Sequence, residues 1–150
     1  IVLGGLLLGL GNNRRAVWAV LLVSPLALFP AIYSIAAESE EVISLFATDS
    51  EKRPADLRLW IVDRDGAAWV GMPRQKAVEH GLDGARLEML RAGALACVVP
   101  VLHEDRETVR SIHAMKVEKY AVARMAGAIG LYPLEAKETT VVLRLDACPG

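Results

Sequence analysis

An uncharged stretch of 22 residues near the start of the chain, Ala16 to Ala37, is the strongest constraint on the fold. At 1.5 Å per residue, a helix of this length reaches about 33 Å, enough to cross the hydrocarbon core of a bilayer. Trp18 and Tyr33 lie near its two ends, where amphipathic rings favour the headgroup region. A buried helix of a soluble core is usually shorter and less completely apolar. The stretch therefore predicts a transmembrane helix that anchors the chain in a lipid bilayer.

A secretory signal peptide is the main rival interpretation, because Ser34-Ile35-Ala36 resembles a small-x-small cleavage site. The apolar run exceeds the roughly 7–15 residues of a usual signal core, which favours a retained anchor. Pro25 and Pro30 predict kinks in the span, and a kinked span suggests packing against other helices. We expect contacts with a membrane partner at six small or kinking residues: Ala19, Pro25, Ala27, Pro30, Ala31 and Ser34.

Paired arginines set the expected orientation of the span. Arg14 and Arg15 stand immediately before it, and the nearest basic residues after it, Lys52-Arg53, follow only after a long interval. Because basic residues favour the cytoplasmic side, we expect a single-pass protein of a bacterial-type inner membrane with a cytoplasmic N-terminus. The rest of the chain is then expected on the extracytoplasmic, periplasmic side.

Composition divides the chain into three parts. Residues 1–15 hold an apolar segment and the cytoplasmic arginine turn, 16–37 form the span, and 38–150 form a domain. The segment 1–11 fits either a short re-entrant piece or the tail of an earlier span. The domain carries all 18 acidic residues and 15 of the 17 basic ones, a net charge of −3. This near balance of charge argues against a nucleic-acid partner, because nucleic-acid binding calls for clustered basic charge. The length of the domain suffices for one hydrophobic core.

Cysteines and candidate metal ligands are few. Cys97 and Cys148 are the only cysteines, and they lack metal-ligand spacing. In an extracytoplasmic domain they can form a disulfide, and two buried free thiols are an equal alternative. His103, Glu104 and Asp105 are adjacent and would point in different directions, so no metal site is expected. Asp105 is instead predicted to cap the helix that follows it.

Period-2 alternation and turn residues predict a mainly-β domain. Six segments are predicted as strands: 41–48, 57–62, 67–71, 85–91, 95–103 and 139–145. Five aliphatic side chains are expected to face the core: Leu57, Leu59, Ile61, Val141 and Leu143. Helices are predicted over 73–81 and from Asp105, with His113 as a structural residue beside an apolar stripe. About six antiparallel strands with a helical excursion before the last one predict a small barrel, closed or split.

The order of these segments resembles a known family. The phrases that carry the resemblance are LRLWIVDRDGAAWV, RLEMLRAG, VVPVLHED, Glu118-Lys119-Tyr120 and TTVVLRL. The region 41–146 is similar to the split β-barrel proteins related to the deazaflavin-dependent nitroreductases and the pyridoxamine-phosphate-oxidase-like flavoproteins. This resemblance implies a split barrel with a groove for FMN or a deazaflavin, and some family members carry an N-terminal membrane segment.

The resemblance also implies which residues would bind a cofactor. They are Trp69, Arg74, Lys76, Lys119 and Tyr120. The two basic residues of the Gly71–Lys76 loop would neutralise the cofactor phosphate. The chain departs from the family pattern at two places: a Gly-Ser-x-Trp-like phrase is absent from that loop, and Ala121-Val122 replaces the expected Gly-Trp.

Two functions remain open from the sequence. The first is a non-catalytic accessory subunit, without cofactor or catalytic residue, that packs into and stabilises a larger respiratory or photosynthetic membrane complex. The second is a membrane-anchored oxidoreductase that uses flavin or deazaflavin to reduce quinones or other small acceptors. The departures from the family pattern favour the first. So does the expected external position of the barrel, because reduced deazaflavin is a cytoplasmic cofactor.

Overall fold

Six antiparallel strands close into a barrel in the part of the chain that the computed structural model describes, residues 40–49 and 51–149. The strands are β1 (Val42–Thr48), β2 (Pro54–Arg64), β3 (Ala67–Pro73), β4 (Leu87–Arg91), β5 (Ala94–His103) and β6 (Thr140–Ala147). The helices are α1 (Arg74–Glu79), α2 (Arg106–Lys119) and α3 (Ala121–Ala128). Around the barrel the order is β1-β2-β3-β6-β5-β4, and β4 closes it by pairing with β1. The predicted barrel with a helical excursion before its last strand is thus confirmed.

The predicted transmembrane helix, 16–37, and the segment 1–15 lie outside the described residues. Among the residues that are described, none of the helices is both long enough and apolar enough to span a bilayer.

Two tight turns join the strands of the hairpins. Asp65 and Gly66 connect β2 to β3 with φ angles of 52° and 77°, and Ala92 and Gly93 connect β4 to β5 with 48° and 81°. Two consecutive residues of positive φ are the mark of a type I′ turn, whose twist matches that of the flanking strands. The turns fix the register: Asp63 pairs with Ala68 in the first hairpin.

The interior of the barrel is filled by alternate residues of the strands. Ile43, Leu45 and Ile61 are fully buried there. Of the five aliphatic residues predicted to face the core, four are buried and Leu59 is partly buried against the same cluster: Leu57, Leu59, Ile61, Val141 and Leu143. The predicted register of β2 and β6 is therefore confirmed.

A second apolar cluster lies outside the barrel wall, under α2 and α3. It joins Val62, Trp69 and Val142 of the strands to Val109 and Ile112 of α2. Because α2 and α3 cover this side, β6 is buried on both faces, which explains its continuous run of apolar residues.

The helical excursion has a defined start and a break. Asp105 caps α2 as predicted, since its carboxylate accepts a hydrogen bond of 2.8 Å from the Thr108 N–H, which holds the pKa of Asp105 below its usual value. Tyr120 has extended dihedrals and separates α2 from α3, so the excursion contains two helices where one was predicted.

A disulfide joins Cys97 of β5 to Cys148, just beyond β6. The two Cα atoms are 5.4 Å apart, and the Cys148 N–H donates to the Cys97 carbonyl. Strand pairing between β5 and β6 brings the two residues together, and this decides between the two alternatives that the sequence left open.

Candidate functional site

Tyr120, predicted to contact a cofactor, is held inside the protein by three backbone groups. Its hydroxyl accepts a hydrogen bond from the Ile61 N–H at 2.8 Å and lies 2.6 Å from the Ile61 carbonyl and 2.8 Å from the Glu41 carbonyl. Its ring stacks on Trp60, with centroids 4.9 Å apart. Burial raises the pKa of Tyr120 to about 12, so the hydroxyl stays neutral and connects β2 to the start of β1.

Lys119 belongs to a network of charges beside this tyrosine. Its ammonium donates to the Glu41 carboxylate and, at 2.8 Å, to the Ile61 carbonyl. Arg91 joins the same carboxylate to Asp63, with bonds of 2.7 and 2.8 Å to the two Asp63 oxygens. The hydrogen bond from Lys119 holds the pKa of Glu41 below its usual value, and that from Arg91 does the same for Asp63. The network connects β1, β2, β4 and α2.

The other three predicted cofactor residues lie in different surroundings. Trp69 is buried, donates from Nε1 to the Arg64 carbonyl at 3.3 Å and packs against the His103 ring. Arg74 is exposed at the start of α1 and forms an ion pair of 2.9 Å with Glu104. Lys76 is also exposed on α1. The five residues are therefore divided among a buried tyrosine network, the outer apolar cluster and the surface of α1.

A cleft of about 300 Å³ opens where β3 ends beneath α2. Its lining residues are Gly71, Met72, Pro73, His113, Lys116, Tyr132, Pro133, Lys137 and Thr140. Two of these lining residues are lysines, and none of the lining residues in the described part of the chain is acidic. The cleft therefore has a positive charge and a largely apolar wall.

Lys116 is the unusual residue of this cleft, because only 9% of it is exposed. The Lys116 Nζ lies 5.8 Å from the centroid of the Tyr132 ring. A methyl group added at Gly71 would lie 3.5 Å from the same Nζ atom. Burial lowers the pKa of Lys116 to about 8, because an ammonium removed from water loses its hydration. Within residues 40–49 and 51–149, no carboxylate pairs with this ammonium.

His113 lies one helical turn before Lys116 and is also buried. Its Nε2 is 2.9 Å from the Pro133 carbonyl, and since a carbonyl only accepts, Nε2 carries the proton. Burial, aided by the charge of Lys116, lowers the pKa of His113, so the ring is neutral and Nδ1 carries a lone pair. Among the described residues this buried Nδ1 has no hydrogen-bond partner.

The sequence contained a signal for Lys116. The buried face of α2 holds Val109, Ile112, His113 and Lys116 at helical spacing. A lysine in line with an apolar stripe is a candidate for burial, so the spacing along α2 could have singled out Lys116. His113, predicted to be structural, lines the cleft as well as packing in the helix.

A broader depression of about 840 Å³ also has His113 in its lining. It contains both Arg106 and Glu138, and Arg106 donates to the carbonyls of Ala136 and Lys137 at 3.2 and 3.1 Å. These bonds anchor the segment before β6. Because the depression is lined by both basic and acidic side chains, its charge favours neither an anion nor a cation. Nowhere in the described residues do three His, Cys, Asp or Glu side chains lie close enough to hold a metal ion.

Four large apolar side chains are exposed on and after α3. They are Met125, Ile129, Leu131 and Leu134, each between 53% and 67% exposed. We call this set the α3 apolar surface. The segment after α3 lies against that helix, because Leu134 packs over Gly127 and the Leu131 N–H donates to the Ala126 carbonyl at 2.8 Å. Glu40 lies at the other end of α3, where its carboxylate accepts from the Val122 N–H at 3.0 Å.

Comparison with solved structures defines the class of fold. HutZ, the heme storage protein from Vibrio cholerae, is 15% identical, with a TM-score of 0.54 over 81% of this chain and 90% of HutZ. ChuZ from Campylobacter jejuni is 9% identical, with a TM-score of 0.53 over 81% of this chain and 53% of ChuZ. An F420 reductase is 12% identical, with a TM-score of 0.47 over 73% of this chain and 87% of its own.

The fold is therefore the split barrel that the sequence resemblance implied, a six-stranded antiparallel barrel with helices against its wall. No protein-family model matches the sequence, and no curated protein matches it either. At these identities the likeness establishes the fold alone.

Proposed function

We propose that this chain is a membrane-anchored, non-catalytic accessory subunit whose barrel docks onto a larger respiratory or photosynthetic membrane complex. The observation that carries the proposal is the α3 apolar surface. Soluble monomers rarely expose large apolar side chains next to one another, and such a surface marks a site of association with protein or membrane. Four such residues occur within ten positions of the chain.

The short interval in the sequence between the predicted span and the barrel supports this proposal. Only Glu38 and Ser39 separate the predicted span from Glu40, whose carboxylate accepts a hydrogen bond from the second residue of α3.

The disulfide supports the expected localisation of the barrel. Disulfides form and persist in oxidising compartments such as the periplasm and are rare in the cytoplasm. The Cys97–Cys148 bond thus agrees with an extracytoplasmic barrel and a cytoplasmic Arg14-Arg15 turn.

The roles of Lys119 and Tyr120 favour a subunit over an enzyme. Both are bonded to Glu41 and Ile61, so each has a structural task that a bound flavin or deazaflavin would disturb. The oxidoreductase with FMN or deazaflavin remains the competing proposal, with Arg74 and Lys76 as its phosphate-binding residues.

The test is co-purification of the full chain from its native membrane in mild detergent. The wild type should migrate with a larger assembly on a native gel. Ile129→Glu combined with Leu131→Glu should release it, because two desolvated charges at a contact cost several kcal/mol. Val78→Glu is the matched control, because Val78 is 68% exposed on α1, outside the α3 apolar surface. Equal melting temperatures would show that the fold is intact.

Two results would contradict the proposal. One is a chain that stays monomeric in mild detergent while it binds flavin and reduces a quinone, with activity abolished by Arg74→Ala and Lys76→Ala. The other is a complex that survives both the charge variants and the replacement of Ala27 and Ala31 by Leu in the predicted span.

A further inference from the structure

We propose that the cleft beside Lys116 binds a small organic anion, with one carboxylate or similar oxyanion group on an apolar body. This site is separate from the docking surface and from the residues that the sequence resemblance assigned to a cofactor. None of those residues lines the cleft: Trp69, Arg74, Lys76, Lys119 and Tyr120.

The charge of the cleft is the first argument. Lys116 is nine-tenths buried, and no carboxylate within the described residues faces its ammonium. A buried charge without a partner is costly, and an anion that enters the cleft supplies the missing partner. The second lysine of the lining, Lys137, adds to the attraction of an anion.

His113 gives a second, independent argument. Its ring lines the cleft, is 95% buried, and has its Nε2 occupied by the Pro133 carbonyl. The remaining ring nitrogen, Nδ1, is buried without a partner in the described part of the chain. Native proteins pair nearly all buried polar atoms, so an unpaired one beside an open cleft points to a group that is supplied from outside. Because Nδ1 of the neutral ring accepts, that group is a donor, such as a hydroxyl or a bound water, while the oxyanion itself meets Lys116.

The wall and the volume of the cleft define the rest of the ligand. Met72, Pro73, Pro133 and the Tyr132 ring provide apolar contact area beside the ammonium. A volume of about 300 Å³ stands at the lower end of small-molecule pockets. The cleft thus fits a compact acid with a flat apolar body, and benzoate is a suitable probe.

The test is a calorimetric titration of the full chain in detergent with benzoate, with empty micelles as the blank. Benzoate should bind the wild type, and benzamide, its uncharged analogue, should bind at least about tenfold more weakly, because a charge-assisted hydrogen bond is lost. Lys116→Met should weaken benzoate binding by a similar factor.

Lys52→Met is the matched control, because Lys52 is an exposed lysine between β1 and β2 and its loss should leave the affinity unchanged. Equal affinity for benzoate in the wild type and in Lys116→Met would overturn the proposal. Binding of inorganic phosphate without any binding of benzoate would also overturn it, since the apolar wall would then have no role.

Discussion

At the scale of single residues, two lysines three positions apart on α2 show how placement decides chemistry. Lys119 is bonded to Glu41 and the Ile61 carbonyl, so its charge connects the helix to the barrel. Lys116 is on the buried face of the same helix and meets a tyrosine ring in place of a carboxylate. The first stabilises the fold, and the second is a charge that the folded protein holds at a cost.

We expect Lys116→Met to be more stable than the wild type at pH 7. Burial has lowered the pKa of Lys116 from 10.5 to about 8, so below pH 8 both the folded and the unfolded chain carry its charge, and the cost of burial is present in full. Between pH 8 and 10.5 only the unfolded chain keeps the proton, so the stability of the wild type rises with pH. The full difference corresponds to roughly 3 kcal/mol as an upper limit.

Urea unfolding of both proteins at pH 7 and at pH 10 measures this effect. The advantage of the variant should be largest at pH 7 and smaller at pH 10. Of the other titratable groups that line the cleft, His113 has a lowered pKa, so its titration lies below this window. A variant that is less stable than the wild type at pH 7 would show that the ammonium has a partner.

At the scale of elements, the two hairpins use the same turn with different sequences. Asp65-Gly66 is one of the favoured pairs for a type I′ turn, whereas Ala92-Gly93 places an alanine at a φ of 48°. A side chain with a Cβ atom is strained in this left-handed region, and Asn and Gly tolerate it best.

Ala92→Asn should therefore stabilise the protein by about 0.5–1 kcal/mol, because Asn-Gly is the strongest pair for this turn. Thermal unfolding at neutral pH measures the change. Ala94→Asn is the control, because Ala94 begins β5 and is exposed like Ala92 but lies within a strand, where Asn is unfavourable. A loss of stability in Ala92→Asn as large as that in Ala94→Asn would contradict the turn geometry.

At the scale of the whole molecule, closure of the barrel depends on contacts between distant segments. The Tyr120 hydroxyl connects the end of α2 to the start of β1, and Arg91 joins β4 to the same region through Glu41. The disulfide then connects the tail of the barrel to β5, over a separation of 51 residues. A bond across so long a loop restricts the unfolded chain strongly.

Replacement of both cysteines by serine should lower the free energy of unfolding by about 2–4 kcal/mol. Chemical denaturation measures the loss, and the wild type under reducing conditions should unfold at the same denaturant concentration as the variant. A variant as stable as the oxidised wild type would mean that the chain does not form this bond.

Local patterns of the sequence determined much of this protein. Alternation at Leu57, Leu59 and Ile61 gave the register of β2, because side chains of a strand point to opposite faces with a period of two. Asp65-Gly66 gave a hairpin, and Asp105 gave the start of α2. The uncharged stretch 16–37 predicts a membrane span that lies outside the described residues.

Only the tertiary structure decided the chemistry. Cys97 and Cys148 become partners because β5 and β6 pair, which no local pattern contains. The Tyr120 hydroxyl is hydrogen-bonded to backbone groups of Ile61 and Glu41, which lie 59 and 79 residues away in the sequence. Lys116 is buried because α2 packs against β3 at a glycine, and the pKa of a lysine depends on that packing rather than on its neighbours in sequence. Periodicity records which face of an element is covered, whereas the groups that meet there depend on contacts between distant parts of the chain.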